Sequence, residues 1–219
     1  MAKDMLGAVL RKLLEIPTEM LGVIYDFLEK LSGSEKGEWL AEFKKFLRKE
    51  KCWMGIITET ILEFIGTITI PARTQRFVAK DHFIVDVSEG AGVKISHLSD
   101  NFRNNFLGKI EEPTAEIISQ YHRSKKLSRD IQIITELGGE DKTEITLAGM
   151  FFLMEKQPNG EDGDLLTDGY ANIFYVYDIT GVLWAVSCYW YGGSWRVNAY
   201  SIGASGDWGA VYRVFSRNS

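Results

Sequence analysis

The sequence predicts an α+β fold in which N-terminal helices come first, a mixed middle region follows, and a C-terminal four-stranded antiparallel meander packs on helices. Three observations support this prediction. Apolar residues recur at helical spacing through residues 4–50. Residues 170–217 are instead rich in β-branched and aromatic residues, broken by turn sequences. Lysine does not occur after Lys156, so the composition changes where the predicted sheet begins.

Residues 1–52 are predicted to form a helical N-terminal region. Apolar positions from Met5 to Leu14 predict a first helix, which Pro17 ends because proline lacks the backbone N–H. A second helix follows, and the sequence Ser32-Gly33-Ser34 breaks it. The third helix is expected to turn five apolar side chains inward: Trp39, Leu40, Phe43, Phe46 and Leu47.

Residues 53–219 are predicted to form an α+β body. In its middle part we expect strands at residues 64–70, 77–78, 83–87 and 93–97, and a helix at residues 99–107. Residues 112–156 are predicted to return to helix, and a glycine-rich acidic loop follows at residues 157–169. The sheet at residues 170–217 is expected to contain strands at residues 173–177, 182–190, 195–202 and 210–217, paired in chain order.

Length, charge and cysteine content narrow the class of protein. The 219 residues are 45% hydrophobic, which is enough for a core without disulfide or metal staples. A net charge of −5 disfavours strong attraction of the whole protein to nucleic acid or anionic lipid. Two distant cysteines, Cys52 and Cys188, fit a reducing compartment better than a secreted disulfide scaffold.

No membrane association is expected. The start of the chain does not resemble a signal peptide, since Lys3 is followed by Asp4 and further charges interrupt the apolar stretch. A membrane-spanning helix needs roughly 18–20 apolar residues, and the longest candidate, residues 56–70, contains Glu59 and Glu63. We therefore predict a cytoplasmic protein.

Motifs that identify a reaction are missing from the sequence. It contains no phosphate-binding glycine loop, no H-E-x-x-H, no paired C-x-x-C and no G-x-S-x-G. The acidic loop from Asn159 to Asp168 offers the oxygen atoms that Ca²⁺ prefers, but it lacks the EF-hand spacing. We predict a solvated linker there, no metal site and no cofactor.

Two histidines and an arginine are the candidate catalytic residues. The sequence nevertheless favours a protein that is not an enzyme. His97 shares a predicted strand face with Ile95, which favours a buried, hydrogen-bonded side chain. His122 and Arg123 open a basic stretch, and a base beside cations would suit metal-independent RNA cleavage. A solvated helix face explains that stretch more economically. An enzyme would need a pocket lined by at least two of His97, Asp100, His122 and Arg123.

The closing sheet carries the other candidate site. Strand alternation places Arg196 and Tyr200 on the face opposite Trp195. Aromatic rings beside arginines suit stacking on bases or sugars, or contact with a protein partner, although aromatic residues favour strands regardless of function. The predicted binding residues are Tyr189, Trp195, Arg196, Tyr200, Arg213 and Phe215.

Several stretches along most of the chain carry a family resemblance. They are residues 14–20 (LEIPTEM), 138–140 (GGE), 154–161 (MEKQPNGE), 169–176 (GYANIFYV) and 213–218 (RVFSRN). In these stretches the chain resembles a family of uncharacterised bacterial proteins associated with candidate-phylum genomes. The resemblance implies a bacterial source, but it implies no activity and no catalytic residue.

The sequence therefore favours a non-enzymatic binding or interaction protein that uses the aromatic and arginine-bearing face of its sheet. A protein partner or self-association is the expected interaction. The alternative is a small metal-independent nuclease or toxin-like enzyme acting on RNA, which rests on an analogy of architecture alone.

Overall fold

A computed structural model describes residues 17–49, 60–203 and 207–217, together with positions 7, 11 and 12, and for residues 18–23 it describes the backbone alone. The chain divides into two compact units, Met1–Thr58 and Glu59–Ser219. The first predicted helix lies largely outside the described residues, as does Cys52. Within the described residues, no helix is both long enough and apolar enough to cross a membrane.

The N-terminal unit contains two helices, α1 (Thr18–Ser32) and α2 (Lys36–Leu47). They pack against each other through Phe27 and Phe43, whose ring centroids lie 4.4 Å apart. When two helices pack against each other, each buries only one side of its surface. The prediction that α2 turns five side chains inward is therefore wrong for three of them. Leu40, Phe46 and Leu47 are 44%, 61% and 63% exposed.

The larger unit is built on a seven-stranded sheet, which confirms the α+β class. In spatial order its strands are β1 (Leu62–Ile70), β5 (Ile117–Ser124), β9 (Arg213–Arg217), β6 (Asn172–Tyr177), β7 (Leu183–Tyr191), β8 (Ser194–Ser201) and β3 (Ile95–Leu98). Strands β2 (Phe77–Val78) and β4 (Ile110–Glu111) form a separate pair. The helices of this unit are α3 (Ala79–His82), α4 (Asp100–Phe106), α5 (Asp130–Glu136), α6 (Glu140–Thr143) and α7 (Leu147–Glu155).

The predicted four-stranded meander is wrong in its last strand. Strands β6, β7 and β8 pair antiparallel in chain order, as their hairpin sequences predict. Strand β9 instead lies on the other side of β6, parallel to it, and pairs antiparallel with β5. The partners of β9 lie far away in the chain, so a prediction that pairs consecutive strands misses them.

The prediction of helix across residues 112–156 is wrong for β5. Its apolar residues fit helical spacing, but β5 pairs with β1 and β9 along its two edges. Pairing on both sides outweighs local propensity. The strand predicted at residues 83–87 is also wrong, because it contributes only an isolated bridge from Asp86 to Ile95.

The sheet has two faces with different covers. On one side, here called the α7 face, α7 and α4 bury a large core that includes Phe102, Met150, Phe174 and Phe215. Helix α7 is buried over most of its length, and its first amides donate to Thr146 and Glu111 side chains. On the other side, called the α5 face, Ile133 and Ile134 cover a smaller cluster. This smaller cover leaves part of the α5 face open at β7 and β8.

We expect the close approach of the acidic loop to the sheet to depend on Gly160. Its φ is +74°, and a Cβ there would lie 2.2 Å from the Trp190 ring. Replacing Gly160 with alanine should lower the free energy of unfolding by about 3 kcal/mol, because overpacking adds to backbone strain. Gly181, with φ of +81° and nothing within 4 Å, is the matched control and should lose only about 1 kcal/mol. Equal losses in urea titrations of Gly160→Ala and Gly181→Ala would contradict this account.

Candidate ligand-binding site

The open part of the α5 face contains a cavity of about 370 Å³, here called the tyrosine pocket. Its floor is formed by β7 and β8, where Ser187 lies opposite Asn198 in register. Alternation sends Tyr189 and Tyr200 to the same face. The residues lining the pocket are Gly169, Ala171, Ser187, Tyr189, Asn198, Tyr200, Asp207, Trp208 and Tyr212.

Aromatic rings form the walls of the tyrosine pocket. Trp208 meets Tyr200 and Tyr212 edge to face, with ring centroids 5.5 Å and 6.2 Å apart. These are favourable arrangements for aromatic pairs, because the positive edge of one ring meets the negative face of the other. The walls therefore hold one another in place.

Trp208 is anchored from behind by a buried carboxylate. Its indole Nε1 donates to Asp130 Oδ1 at 2.6 Å, and the Tyr175 hydroxyl donates to the same oxygen at 2.9 Å. Its backbone also exchanges hydrogen bonds with Ser128. Burial and the charge of Asp130 raise the pKa of Tyr175. The hydroxyl therefore stays a donor, and the position of Trp208 does not depend on a ligand.

Several polar groups line the pocket beneath the aromatic rings. Within the described residues, no hydrogen bond is formed by five of the lining side chains: Ser187, Tyr189, Asn198, Tyr200 and Tyr212. Burial, and then the hydroxyls of Tyr189 and Tyr212, raise the pKa of Tyr200. The pocket therefore offers the hydroxyls of Ser187 and three tyrosines and the amide of Asn198.

The tyrosine pocket carries little charge. Among its lining residues Asp207 is the one acidic residue and none is Lys, Arg or His. Asp207 Oδ1 lies 3.2 Å from Arg129 Nε in an exposed ion pair. Arg196 lies opposite Tyr189 in the sheet, but its guanidinium stacks over Tyr191 at 5.1 Å. The site presents rings and neutral hydrogen-bonding groups rather than a charged surface.

The structure separates the six predicted binding residues. Tyr189 and Tyr200 line the tyrosine pocket, and Arg196 lies beside it. Trp195 and Phe215 are fully buried on the α7 face, where no ligand reaches them.

Arg213 is half-buried and supports a loop. Its guanidinium donates to the backbone carbonyls of Gly163 and Asp164. It also lines a separate cavity of about 460 Å³ with Arg123 and Asp168.

Sequence reasoning missed the neutral polar part of the pocket. The hairpin turn at residues 191–194 fixes which residues pair across β7 and β8, so Ser187 and Asn198 could have been found by counting back from it. Trp208 and Tyr212 could not have been found in this way, because the connection between β8 and β9 brings them to the pocket and its path does not follow from the sequence pattern.

His97 is exposed, so the prediction of a buried histidine is wrong. A register shift between Ile95 and His97 moves the histidine to the side of Arg196 instead of the core. A bulge of this kind breaks the alternation on which the prediction rested.

His122 lies in β5 rather than on a helix. Its side chain is half-buried, and its ring centroid is 5.7 Å from that of Phe64. Its Nδ1 is buried and has no hydrogen-bond partner among the residues that the structure describes. Burial lowers the pKa of this imidazole, with the negative charge of Glu136 opposing the shift.

The candidate catalytic residues do not converge. His97 and His122 lie on the seventh and second strands of the sheet, and five strand spacings correspond to about 24 Å. Arg123 points to the face opposite His122 because side chains alternate along a strand. The geometry thus gives no specific support to RNA cleavage by these residues.

The acidic loop is held by hydrogen bonds within the loop and by an ion pair with Lys156, the residue that follows α7. Glu161 accepts hydrogen bonds from the backbone and side chain of Asn159, and Lys156 lies 3.3 Å from Asp164. In the part of the chain that the structure describes, no three His, Cys, Asp or Glu side chains are grouped to hold a metal ion. Cys188 is buried, which raises the pKa of its thiol and disfavours the reactive thiolate.

No family model, curated protein or solved structure matches the chain. The resemblance to a bacterial family therefore stays a prediction, and function has to be argued from the geometry of the sites.

We expect Tyr175→Phe to lower the free energy of unfolding by about 2 kcal/mol, because Asp130 loses a buried hydrogen bond. The raised pKa of Tyr175 keeps its proton on in the folded state, whereas the unfolded chain releases it above about pH 10. Wild-type stability should therefore fall above pH 10, and the variant should lose part of that dependence. Tyr177→Phe is the control, since its exposed hydroxyl lies 3.4 Å from Glu140. The account fails if both variants unfold alike.

His122 should make stability depend on pH below neutrality. The folded imidazole resists protonation, whereas the unfolded one accepts a proton near pH 6.5. Stability is then complete above pH 6.5 and is lost as the pH falls, by up to about 1.4 kcal/mol per pH unit. His122→Gln should flatten urea-derived stability between pH 7 and 5, and His97→Gln should not. A wild-type slope that survives His122→Gln would refute this assignment.

Proposed function

We propose that this chain is a non-enzymatic binding protein and that the tyrosine pocket holds a neutral, hydroxyl-rich ring, that is, a sugar residue. The observation that carries the proposal is a set of polar side chains beneath aromatic walls, which form no hydrogen bond among the residues that the structure describes. A ligand that supplies both a flat apolar face and a rim of hydroxyls would satisfy both features.

A sugar ring matches the walls and the floor at once. One face of a pyranose presents C–H groups with partial positive charge, which the negative face of an aromatic ring attracts. Its hydroxyls donate and accept hydrogen bonds, as do Ser187, Asn198 and the tyrosine hydroxyls. The volume of about 370 Å³ falls in the range of roughly 300–1,000 Å³ that is usual for ligand pockets.

The charge of the pocket favours a neutral ligand over a phosphorylated one. No Lys or Arg is among its lining residues, and it includes one acidic residue, Asp207. Nucleic-acid binding gains much of its affinity from cations against phosphate, which this pocket does not provide. A protein partner or self-association is less well supported, because the site is a concave pocket rather than a broad patch.

The lining residues support binding rather than hydrolysis. Glycoside hydrolysis generally uses two carboxyl groups on either side of the scissile bond, about 5–9.5 Å apart. The tyrosine pocket has one carboxylate, Asp207, and it faces Arg129.

Titration with a panel of neutral hexoses, N-acetylhexosamines and their short oligomers tests the proposal. We expect at least one to change the tryptophan fluorescence, since Trp208 is a wall of the pocket, and to give a matching calorimetric isotherm. Tyr200→Ala and Asn198→Ala should each weaken that binding about tenfold, as expected for the loss of a ring contact or a hydrogen bond.

Tyr191→Ala is the matched control. Tyr191 is an exposed tyrosine at the end of β7 and is not among the residues lining the pocket, so its loss should leave sugar affinity unchanged. The proposal fails if no sugar of the panel binds, if Tyr191→Ala and Tyr200→Ala act alike, or if uridine monophosphate binds more tightly than every sugar.

A further inference from the structure

A second cavity, of about 390 Å³, lies beside α7 on the other side of the larger unit. Its lining combines apolar residues, among them Ile70, Phe151 and Phe152, with the basic residues Arg73, Arg76 and His82. We infer that this cavity, here called the arginine cleft, binds a small carboxylic acid with an apolar body. The inference is independent of the tyrosine pocket.

The apolar side of the cleft is preformed. Phe77 and Phe151 are almost fully buried, and their ring centroids lie 6.0 Å apart. Gly149 brings α7 against the end of β1 so closely that a Cβ there would lie 2.9 Å from Ile70 Cδ1. The wall is part of the main core, so a ligand meets a fixed apolar surface and does not have to order it.

Arg73 brings a positive charge to this surface. Its Nε donates to the Gln75 carbonyl at 2.9 Å, and its Nη2 donates to the carbonyl of Glu112 at 2.8 Å. Its backbone is fixed by two hydrogen bonds with Thr114. All these partners are neutral, and within the described residues no carboxylate pairs with Arg73. A guanidinium has five N–H donors, so those on Nη1 remain for a ligand.

Two further groups can serve the same anion. Arg76 Nε lies 3.1 Å from Glu112 Oε2, but both side chains are 67% exposed, and an exposed ion pair contributes little to stability. A ligand carboxylate can therefore bind Arg76 beside Glu112, or in its place, at little cost in free energy. The His82 ring stacks on Phe77 at 4.2 Å, and its nitrogens form no hydrogen bond within the described residues.

The apolar side chains and the charged residues of the cleft together determine which class of ligand fits it. Glu155 also lines the cleft, so a compact dianion such as phosphate would meet repulsion and leave the apolar wall unused. A neutral apolar molecule would leave Arg73 unpaired. A monocarboxylate with an aliphatic or aromatic body pairs with the arginines and covers the phenylalanine side chains.

Calorimetry with octanoate, octan-1-ol, octylammonium and inorganic phosphate tests the inference on the full chain. We expect octanoate to bind, octan-1-ol to bind at least tenfold more weakly, and octylammonium and phosphate to give no measurable heat. Equal binding of octan-1-ol would show unspecific apolar contact and overturn the inference, as would tighter binding of phosphate or no binding of octanoate.

Arg76→Ala should weaken octanoate binding about tenfold without shifting the unfolding transition, because Arg76 is exposed. Arg129→Ala is the matched control, since Arg129 forms a similar exposed pair with Asp207 at 3.2 Å. Phe152→Ala should also weaken binding, through the apolar wall. Tyr200→Ala should leave octanoate binding unchanged, which separates this site from the tyrosine pocket. Equal effects of Arg76→Ala and Arg129→Ala would refute the assignment.

Discussion

The buried carboxylate of Asp130 ties together three parts of the larger unit. It begins α5, is 1% exposed, and accepts hydrogen bonds from Tyr175 in the centre of the sheet and from Trp208 in the connection that precedes β9. A buried carboxylate costs several kcal/mol unless its oxygens are hydrogen-bonded. Helix, strand and connection must therefore meet at one place. Since Trp208 is also a wall of the tyrosine pocket, the shape of that pocket follows from the charge behind it.

The open area on the sheet has a simple geometric cause. Seven strands span about 29 Å at about 4.8 Å per spacing, whereas the seven residues of α5 extend only about 10 Å. Helix α5 covers Ile173 and Val214 in the middle of the sheet, but it cannot reach β8. The α7 face differs because α7 and α4 share its cover. Hydroxyl groups and aromatic rings can remain at β7 and β8 on the α5 face, because α5 does not cover them and they can keep contact with water.

The sequence predicts well those elements whose contacts are local in the chain, and poorly those whose partners are distant in sequence. The β6–β7–β8 hairpins depend on turn residues between them, and alternation within β8 correctly placed Arg196 and Tyr200 on the face opposite Trp195. Strands β5 and β9 depend on partners far away in the chain, and local spacing in β5 fits a helix equally well. The exposure of His97 depends on a register shift that no local pattern marks. Half of the candidate site was therefore predictable, and the Trp208 side was not.

The distribution of titratable groups supports the proposal of a binding protein, because the candidate acid–base residues lie far apart. Acid–base chemistry requires groups within hydrogen-bonding reach of one another or of one substrate. The rigid spacing of the sheet instead keeps His97 and His122 on distant strands, while His82 lies in the arginine cleft. What the α5 face does concentrate is rings and neutral polar groups, held before a ligand arrives. Affinity benefits from such preorganisation because little entropy is lost on binding.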